Sequence, residues 1–210
     1  MITSFVRVML FAALILGLST TRTPAQQPGK LIVFVGEKIA SSALAASDSM
    51  LLDHGARFRY RILTKIYGDY TRDTIEFKAF DHYGAPPFSS YEHVLLFVTQ
   101  YGEEFYHEKY QYFDVYKTKD GSWASPGDPY RFDSNTNVIQ SRKKYFVRPV
   151  KFELKNGHLK NVVNIAQLSL TFNEPYFKMI GDNATAYFGT DVIDLFQLKR
   201  EGVLKARGFF

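Results

Sequence analysis

The amino-acid sequence predicts a mainly β, β-rich α+β protein, and three features indicate this fold class. Aromatic residues make up 16% of the chain, most of them Phe and Tyr, which favour strands. Val94–Val98 is apolar at every position, which is typical of a strand covered on both faces in a barrel or sandwich. Phe58–Ile66 alternates between apolar and basic residues, as a strand with one exposed face does.

The first 25 residues predict a cleavable export signal that lies outside the fold. Arg7 precedes the apolar run Val8–Leu18, and Thr23-Pro24-Ala25 supplies a small-residue cleavage site. The run is too short for a stable membrane anchor, and no cysteine is present to carry a lipid. We therefore expect an exported protein, periplasmic or extracellular, that starts at Gln26 and keeps no transmembrane anchor.

Composition narrows the classes of function. A chain without cysteine has no thiolate nucleophile, no thiolate metal ligand and no disulfide. Loss of Arg7 and Arg22 with the signal reduces the 26 basic residues to 24 against 21 acidic ones, which leaves a net charge of +3. This mild charge neither requires nor excludes an acidic partner. Because an exported protein seldom meets nucleic acid, we expect a protein partner and no nucleic acid. The sequence does not indicate an oligomeric state.

The strands are predicted in chain order from their hydrophobic patterns. Leu31–Ile39 is apolar on both faces over most of its length, so we expect a central strand. Ala40–Gly55 is small and polar, which is typical of a loop with a short helix. Thr74–Asp81 is predicted to return beside Phe58–Ile66, with Glu76 paired to an arginine of the outer side. That side carries a row of four basic residues, Arg57, Arg59, Arg61 and Lys65. We interpret this row as a solvated face in preference to an anion-binding stripe.

A hairpin is predicted over Tyr91–Tyr116, with a turn at residues 101–104. Strict alternation would divide its second strand into two faces. One face would carry Tyr106, Tyr110, Tyr112 and Tyr116, and the other would carry Phe105, His107, Phe113 and Val115.

The C-terminal part is predicted as a β/α extension. Residues 132–144 are polar, so the sequence divides into a barrel domain over 26–131 and an extension over 132–210. Tyr145–Leu154 is predicted as a strand that Pro149 confines to a sheet edge. Leu159–Phe172 is ambiguous, with alternation towards its end. Asp191–Lys205 has helical spacing, with Thr190 as the expected N-cap.

A succession of three short patterns follows the predicted strands. They are Phe34–Glu37, then Phe58–Leu63 leading to Tyr67-Gly68-Asp69, then the return strand Thr74–Phe80. With the apolar Leu95–Val98 further on, they resemble the netrin-module and tissue-inhibitor-of-metalloproteinase group over about residues 31–116. The resemblance implies an OB-like, netrin-like antiparallel barrel that is used for binding. Inhibition through an amino-terminal cysteine is not carried over, because the chain has none.

The leading functional hypothesis is a non-enzymatic binding protein. An inhibitor or an accessory subunit acting on an envelope or extracellular protein would fit this class. Aromatic rings beside basic groups are common at contact surfaces, although the C-terminal segment covering the tyrosines is an equally open interpretation. The candidate binding residues are Tyr106, Lys109, Tyr110, Tyr112, Tyr116, Trp123 and Tyr130.

The competing hypothesis is a metal-dependent or His/Asp hydrolase. Asp53-His54 and Asp81-His82 repeat one pattern at predicted strand ends, and together they would make a site if both loops met. The chain has no HExxH, GxSxG or phosphate-loop motif, so we expect no metal and no cofactor. For an enzyme of an unfamiliar kind, the first candidates are His82, His107 and Asp128.

Overall fold

The computed structural model describes residues 29–44, 54–118, 120–127, 129, 149–151, 158–159, 176–180 and 183–210. Five strands close a barrel in the order β1-β2-β3-β5-β4, with β4 returning to β1. All neighbours are antiparallel except β3 and β5, which run parallel and meet at the single pair Lys78 and Tyr106. This is the OB-like barrel expected from the sequence. The strands are β1 (Lys30–Ala43), β2 (His54–Tyr67), β3 (Thr74–Asp81), β4 (His93–Tyr101) and β5 (Glu104–Asp114).

Strands β1 and β4 are buried on both faces, as their apolar sequences predict. In β1, Ile32 and Phe34 belong to the barrel interior, whereas Val33 and Val35 pack outward against the C-terminal helix and its neighbours. Because side chains alternate across a strand, β4 divides in the same way. Its inward residues are Val94, Leu96 and Val98, and its outward residues are Leu95 and Phe97.

The barrel interior is filled mainly by aromatic rings. A 3₁₀ turn, Pro87–Ser90, inserts Phe88 with no exposed surface, and its ring centroid lies 5.0 Å from that of Phe58. Tyr60 and Phe77 complete the stack at 5.6 Å. Burial raises the pKa of Tyr60, so its hydroxyl stays neutral. The turn falls in a Gly- and Pro-rich stretch, where composition gives no sign of a buried ring.

The outer sides of β2 and β3 are charged and paired across the strands. Arg57 lies 3.0 Å from Glu76 in the structure, which confirms the predicted cross-strand pair. Arg61 pairs with Glu37 of β1 at 3.2 Å. Both pairs are exposed, so each stabilises the fold by at most about 1 kcal/mol.

Two small sheets follow the barrel strands. One has the order β6-β7-β12-β8 and the other the order β10-β11-β9. The edge position of β8, which starts at Pro149, agrees with the expectation that this proline keeps its strand at an edge. The strands are β6 (Tyr116–Lys117), β7 (Trp123–Pro126), β8 (Pro149–Lys151), β9 (His158–Leu159), β10 (Phe177–Ile180), β11 (Asn183–Ala186) and β12 (Phe188–Asp191).

Helix α1 (Val192–Lys199) covers the outer face of β1 and β4. It buries Val192, Leu195 and Phe196, and it continues into a π-helical turn, Arg200–Leu204, that is kinked at Gly202. Asp191 caps the helix, because its Oδ1 accepts a hydrogen bond of 2.8 Å from the backbone N–H of Ile193. The prediction of Thr190 as the cap is wrong. That hydroxyl is buried and donates instead to the carbonyl of Gly127.

The loop predicted over Ala40–Gly55 is shorter than expected, since β1 runs through Ala43 and β2 starts at His54. The predicted export signal, most of Leu159–Phe172 and the 131/132 domain division lie outside the described residues. β7, from the predicted first domain, pairs with β12 of the extension. No helix in the described part of the chain is long and apolar enough to cross a membrane.

Candidate binding surface on strand β5

Strand β5 carries a bulge of three extra residues that changes which side chains face outward. Leu96 of β4 pairs with Tyr112, and Val98 pairs with His107, so two steps along β4 match five along β5. In a regular strand, two residues that are five positions apart face opposite sides. Across the bulge they face the same side, because their partners on β4 are two positions apart. His107 and Tyr112 therefore both face the barrel, with ring centroids 4.4 Å and 6.1 Å from that of Phe88.

The prediction of a single tyrosine face is therefore wrong. Tyr112 packs against the interior cluster, where burial raises the pKa of its phenol. Tyr106 lies on the outer side near the start of the strand, and Tyr116 belongs to β6. Only Tyr110 stands in the bulge itself, and it is the most exposed of the four at 55%.

Tyr110 has an unusual backbone conformation. Its φ is 65°, and among the described residues it is the one non-glycine residue with a positive φ. The left-handed region costs an L-residue about 1–2 kcal/mol, because Cβ approaches the carbonyl oxygen. A bulky side chain in this conformation persists only where the surrounding contacts impose it.

The first brace of the bulge comes from the C-terminus. Arg207 forms an ion pair with Glu108 at 2.7 Å and donates a second bond, of 3.1 Å, to the carbonyl of Lys109. The carboxylate of Glu108 also accepts a bond from the hydroxyl of Thr99 on β4. Glu108 is only 12% exposed, so this is one of the best-shielded ion pairs described.

The second brace comes from inside the barrel. Nε2 of His107 lies 3.0 Å from the carbonyl oxygen of Gln111, and the side-chain amide of Gln111 donates to the carbonyl of Lys109. Burial lowers the pKa of His107 to about 4, so the ring is neutral near pH 7 and carries its hydrogen on Nε2. His107, a catalytic candidate from the sequence, is therefore a hydrogen-bonded structural residue here.

Three other residues of the predicted surface, Tyr106, Lys109 and Tyr116, lie on or next to β5. Tyr106 is half-buried, with its ring near those of Phe80 and Tyr101, and Nζ of Lys78 stands 5.9 Å from its centroid. Lys109 places its Nζ 5.5 Å from the Tyr110 ring. Tyr116 is 38% exposed on β6. We define the β5 surface as four residues on and beside β5, of which Tyr101 and Tyr110 are exposed and Tyr106 and Lys109 are half-buried.

Trp123 does not belong to that surface. It is 6% exposed and packs in the outer core beneath α1. Its Nε1 donates to the hydroxyl of Thr64 at 3.2 Å, and Nζ of Lys117 lies 4.0 Å from its ring centroid. The proposal of Trp123 as a contact residue is thus corrected to a core role. Tyr130 lies outside the described residues.

The C-terminal segment covers part of β5, in line with the interpretation from the sequence that this segment packs over the tyrosines. Arg207 reaches Glu108, and Nζ of Lys199 lies 5.0 Å from the Phe113 ring centroid. Burial lowers the pKa of Lys199. Tyr110 remains uncovered by these contacts.

His54 and the Asp81-His82 pair lie at the same end of the barrel. His54 is opposite Asp81 in the β2–β3 register, so His54 and His82 lie near the same strand ends. The carboxylate of Asp81 accepts a hydrogen bond from the backbone N–H of Tyr83, a turn-forming role. Within the described ranges, no group of three His, Asp or Glu residues is placed to hold a metal ion. Asp53 and Asp128 lie outside those ranges.

No protein-family model matches the chain, and no curated protein or solved structure matches it. Sequence reasoning missed the members that brace the bulge, Glu108, Gln111 and Arg207, because single polar residues carry no periodic signal.

Proposed function

We propose that the protein is an exported, non-enzymatic binding protein that engages a protein partner through its β5 surface. A role as an inhibitor or accessory subunit of an envelope or extracellular protein belongs to this proposal. The observation that carries it is Tyr110, an exposed aromatic residue held in a strained backbone conformation by two braces that both donate to the carbonyl of Lys109.

The strain supports a role for the Tyr110 ring beyond the fold. Glycine adopts a positive φ without cost, so a bulge that served only the barrel would be more stable with glycine at this position. The ring contact described for Tyr110 is with Lys109, and the ring is absent from both hydrophobic clusters. Strained residues of this kind concentrate at binding and catalytic sites.

The chemistry of the surface suits a protein partner. Tyrosine offers a large contact area with few rotatable bonds, and its hydroxyl can form a hydrogen bond at a wet interface. Because the braces fix the bulge before binding, little conformational entropy remains to be lost on association. Tyr101 and Tyr106 extend the aromatic area, with ring centroids 6.2 Å apart.

A capture experiment tests this function directly. The chain without its predicted signal, Gln26–Phe210, is immobilised and exposed to an envelope extract of its own source. We expect one stoichiometric partner that is retained by the unmodified protein and lost with Tyr110→Ala. The matched control is Tyr83→Ala, which removes a tyrosine that is 89% exposed on the loop after β3.

Two results would count against the proposal. Equal capture by Tyr110→Ala and the unmodified protein would remove the β5 surface from the interaction. An empty capture with every variant would remove the binding function, provided that all variants remain folded by circular dichroism.

The second candidate is the His/Asp hydrolase, supported by the register that places His54 opposite Asp81. If the pair holds a metal, it would give a saturable response to Zn²⁺ in calorimetry, lost in the His54→Ala/His82→Ala double variant. Absence of such a response, together with Tyr110-dependent capture, would decide between the two functions.

A further inference from the structure

A charged cleft of about 300 Å³ lies beside the parallel junction of β3 and β5. The two strands share only one residue pair, so their remaining lengths diverge and leave a depression between them. The cleft is lined by residues of β2, the β2–β3 connection, β3, the β4–β5 turn and the start of β5. It is therefore built from three separate stretches of the chain, within residues 57–59, 70–78 and 103–105.

Ion pairs within the cleft neutralise only half of its cations. Of its four basic residues, Arg57 pairs with Glu76 at 3.0 Å and Lys78 pairs with Glu104 at 2.9 Å. The hydrogen bond from Lys78 to Glu104 raises the pKa of that lysine and keeps it charged. Arg59 and Arg72 have no hydrogen-bond or ion-pair partner in the described ranges. A guanidinium is charged at every accessible pH, so the cleft offers two unpaired cations.

We propose that this cleft binds a single carboxylate side chain, an Asp or Glu of the protein partner, between Arg59 and Arg72. The proposal rests on the binding function above and adds the charge that the partner must bring. Arginine is the residue best suited to this ligand, because its planar donor fork matches the two oxygens of a carboxylate.

The surroundings favour one carboxylate over an extended polyanion. Glu103 of the β4–β5 turn and Glu104 at the start of β5 line the cleft, where they would repel a long anionic chain. With two pairs neutralised, the remaining charged residues of the lining are Arg59, Arg72 and Glu103, none of which has an ion pair in the described ranges, so the cleft keeps an excess of one positive charge. Tyr70 adds a fixed apolar wall, since its hydroxyl donates to the carbonyl of Thr74 and its ring lies 5.6 Å from that of Phe105.

The cleft and the β5 surface are neighbours. Lys78 lines the cleft and is also the residue paired with Tyr106, whose ring centroid lies 5.9 Å from its Nζ. A partner that packs on Tyr106 can therefore place an adjacent acidic side chain in the cleft. Aromatic contacts would supply affinity, and the buried charge pair would fix the orientation of the partner.

The probe is a blocked pentapeptide, Gly-Gly-Glu-Gly-Gly, compared with its glutamine twin. Both are titrated into the ¹⁵N-labelled chain at low salt, and the arginine Nε–Hε signals are followed by NMR. We expect the glutamate peptide alone to shift the Arg59 and Arg72 signals in a saturable manner. Arg72→Gln should weaken the response at least fivefold. Arg61→Gln should leave it within twofold, because Arg61 is on the same strand but outside the cleft.

Several results would overturn the inference. The first is that neither peptide shifts the arginine signals. The second is that Arg61→Gln and Arg72→Gln weaken the response to the glutamate peptide equally. The third is that the single-stranded DNA hexamer dT6 shifts the signals at a lower concentration than the peptide does. The last would assign the cleft to a polyanion. Failure of the cleft is also distinguishable from failure of the proposed function. If Arg59→Gln/Arg72→Gln captures the partner normally while Tyr110→Ala does not, the cleft inference fails and the binding function stands.

Discussion

Strands β4 and β5 pair with each other in one barrel, but different forces hold them. From Val94 to Thr99, β4 is buried at every residue between the aromatic interior and helix α1. The bulge of β5 is instead held by a few polar contacts, from His107, Gln111 and Arg207. Nonpolar packing thus fixes the framework, and directed polar bonds fix the exposed surface. The two regions should therefore respond differently to substitution.

The largest effect is expected in the packed region. Phe97→Ala removes a ring with no exposed surface from the outer core, and loss of such a ring costs about 3–5 kcal/mol of unfolding free energy. Tyr110→Ala, in the bulge, should change that free energy by less than about 0.5 kcal/mol. Urea unfolding of both variants measures the difference. Similar losses in the two would show that packing also holds the bulge.

A second test lowers the pH to protonate His107, which belongs to the second brace. Burial lowers the pKa of His107 to about 4 in the folded state, against about 6.5 when unfolded. The unfolded chain therefore takes up the proton first, so this contribution to stability is intact above pH 6.5 and is lost as the pH falls towards 4. Its full size is about 3 kcal/mol.

The control for this test is His107→Gln, which keeps a donor but does not titrate. The advantage of the unmodified protein over this variant should shrink between pH 6.5 and pH 4. A difference in unfolding free energy that stays constant over that range would show that His107 is already protonated or solvated in the folded barrel.

A smaller effect on the unfolding free energy is expected from the first brace, which Arg207 forms. Arg207→Ala leaves the shielded carboxylate of Glu108 without its cation, at a cost of about 1–3 kcal/mol. Arg61→Ala breaks the exposed pair with Glu37 and should cost less than about 1 kcal/mol. Thermal unfolding compares the two. Arg207→Ala should also weaken partner capture without altering a contact residue, and full capture would show that this brace does not position Tyr110.

The fold was largely predictable because burial leaves a periodic trace in the sequence. The apolar runs in β1 and β4, the alternation in β2 and the spacing of Val192, Leu195 and Phe196 each predicted the element that forms. The bulge left no such trace. One of its contacts comes from Arg207, whose partner Glu108 is 99 residues away in sequence. Alternation across the bulge therefore assigned Tyr112 to the wrong face. Trp123 was misplaced because its small sheet forms with distant strands.

The central claim is that the ring of Tyr110 is displayed for a partner at a cost to the fold. The unfolding free energy of Tyr110→Gly tests it most directly, because glycine relieves the strain at a φ of 65° while removing the ring. We expect this variant to gain about 1 kcal/mol in urea unfolding, after allowing for the greater freedom of glycine in the unfolded chain. A loss of stability would contradict the account, because it would show that the ring stabilises the barrel.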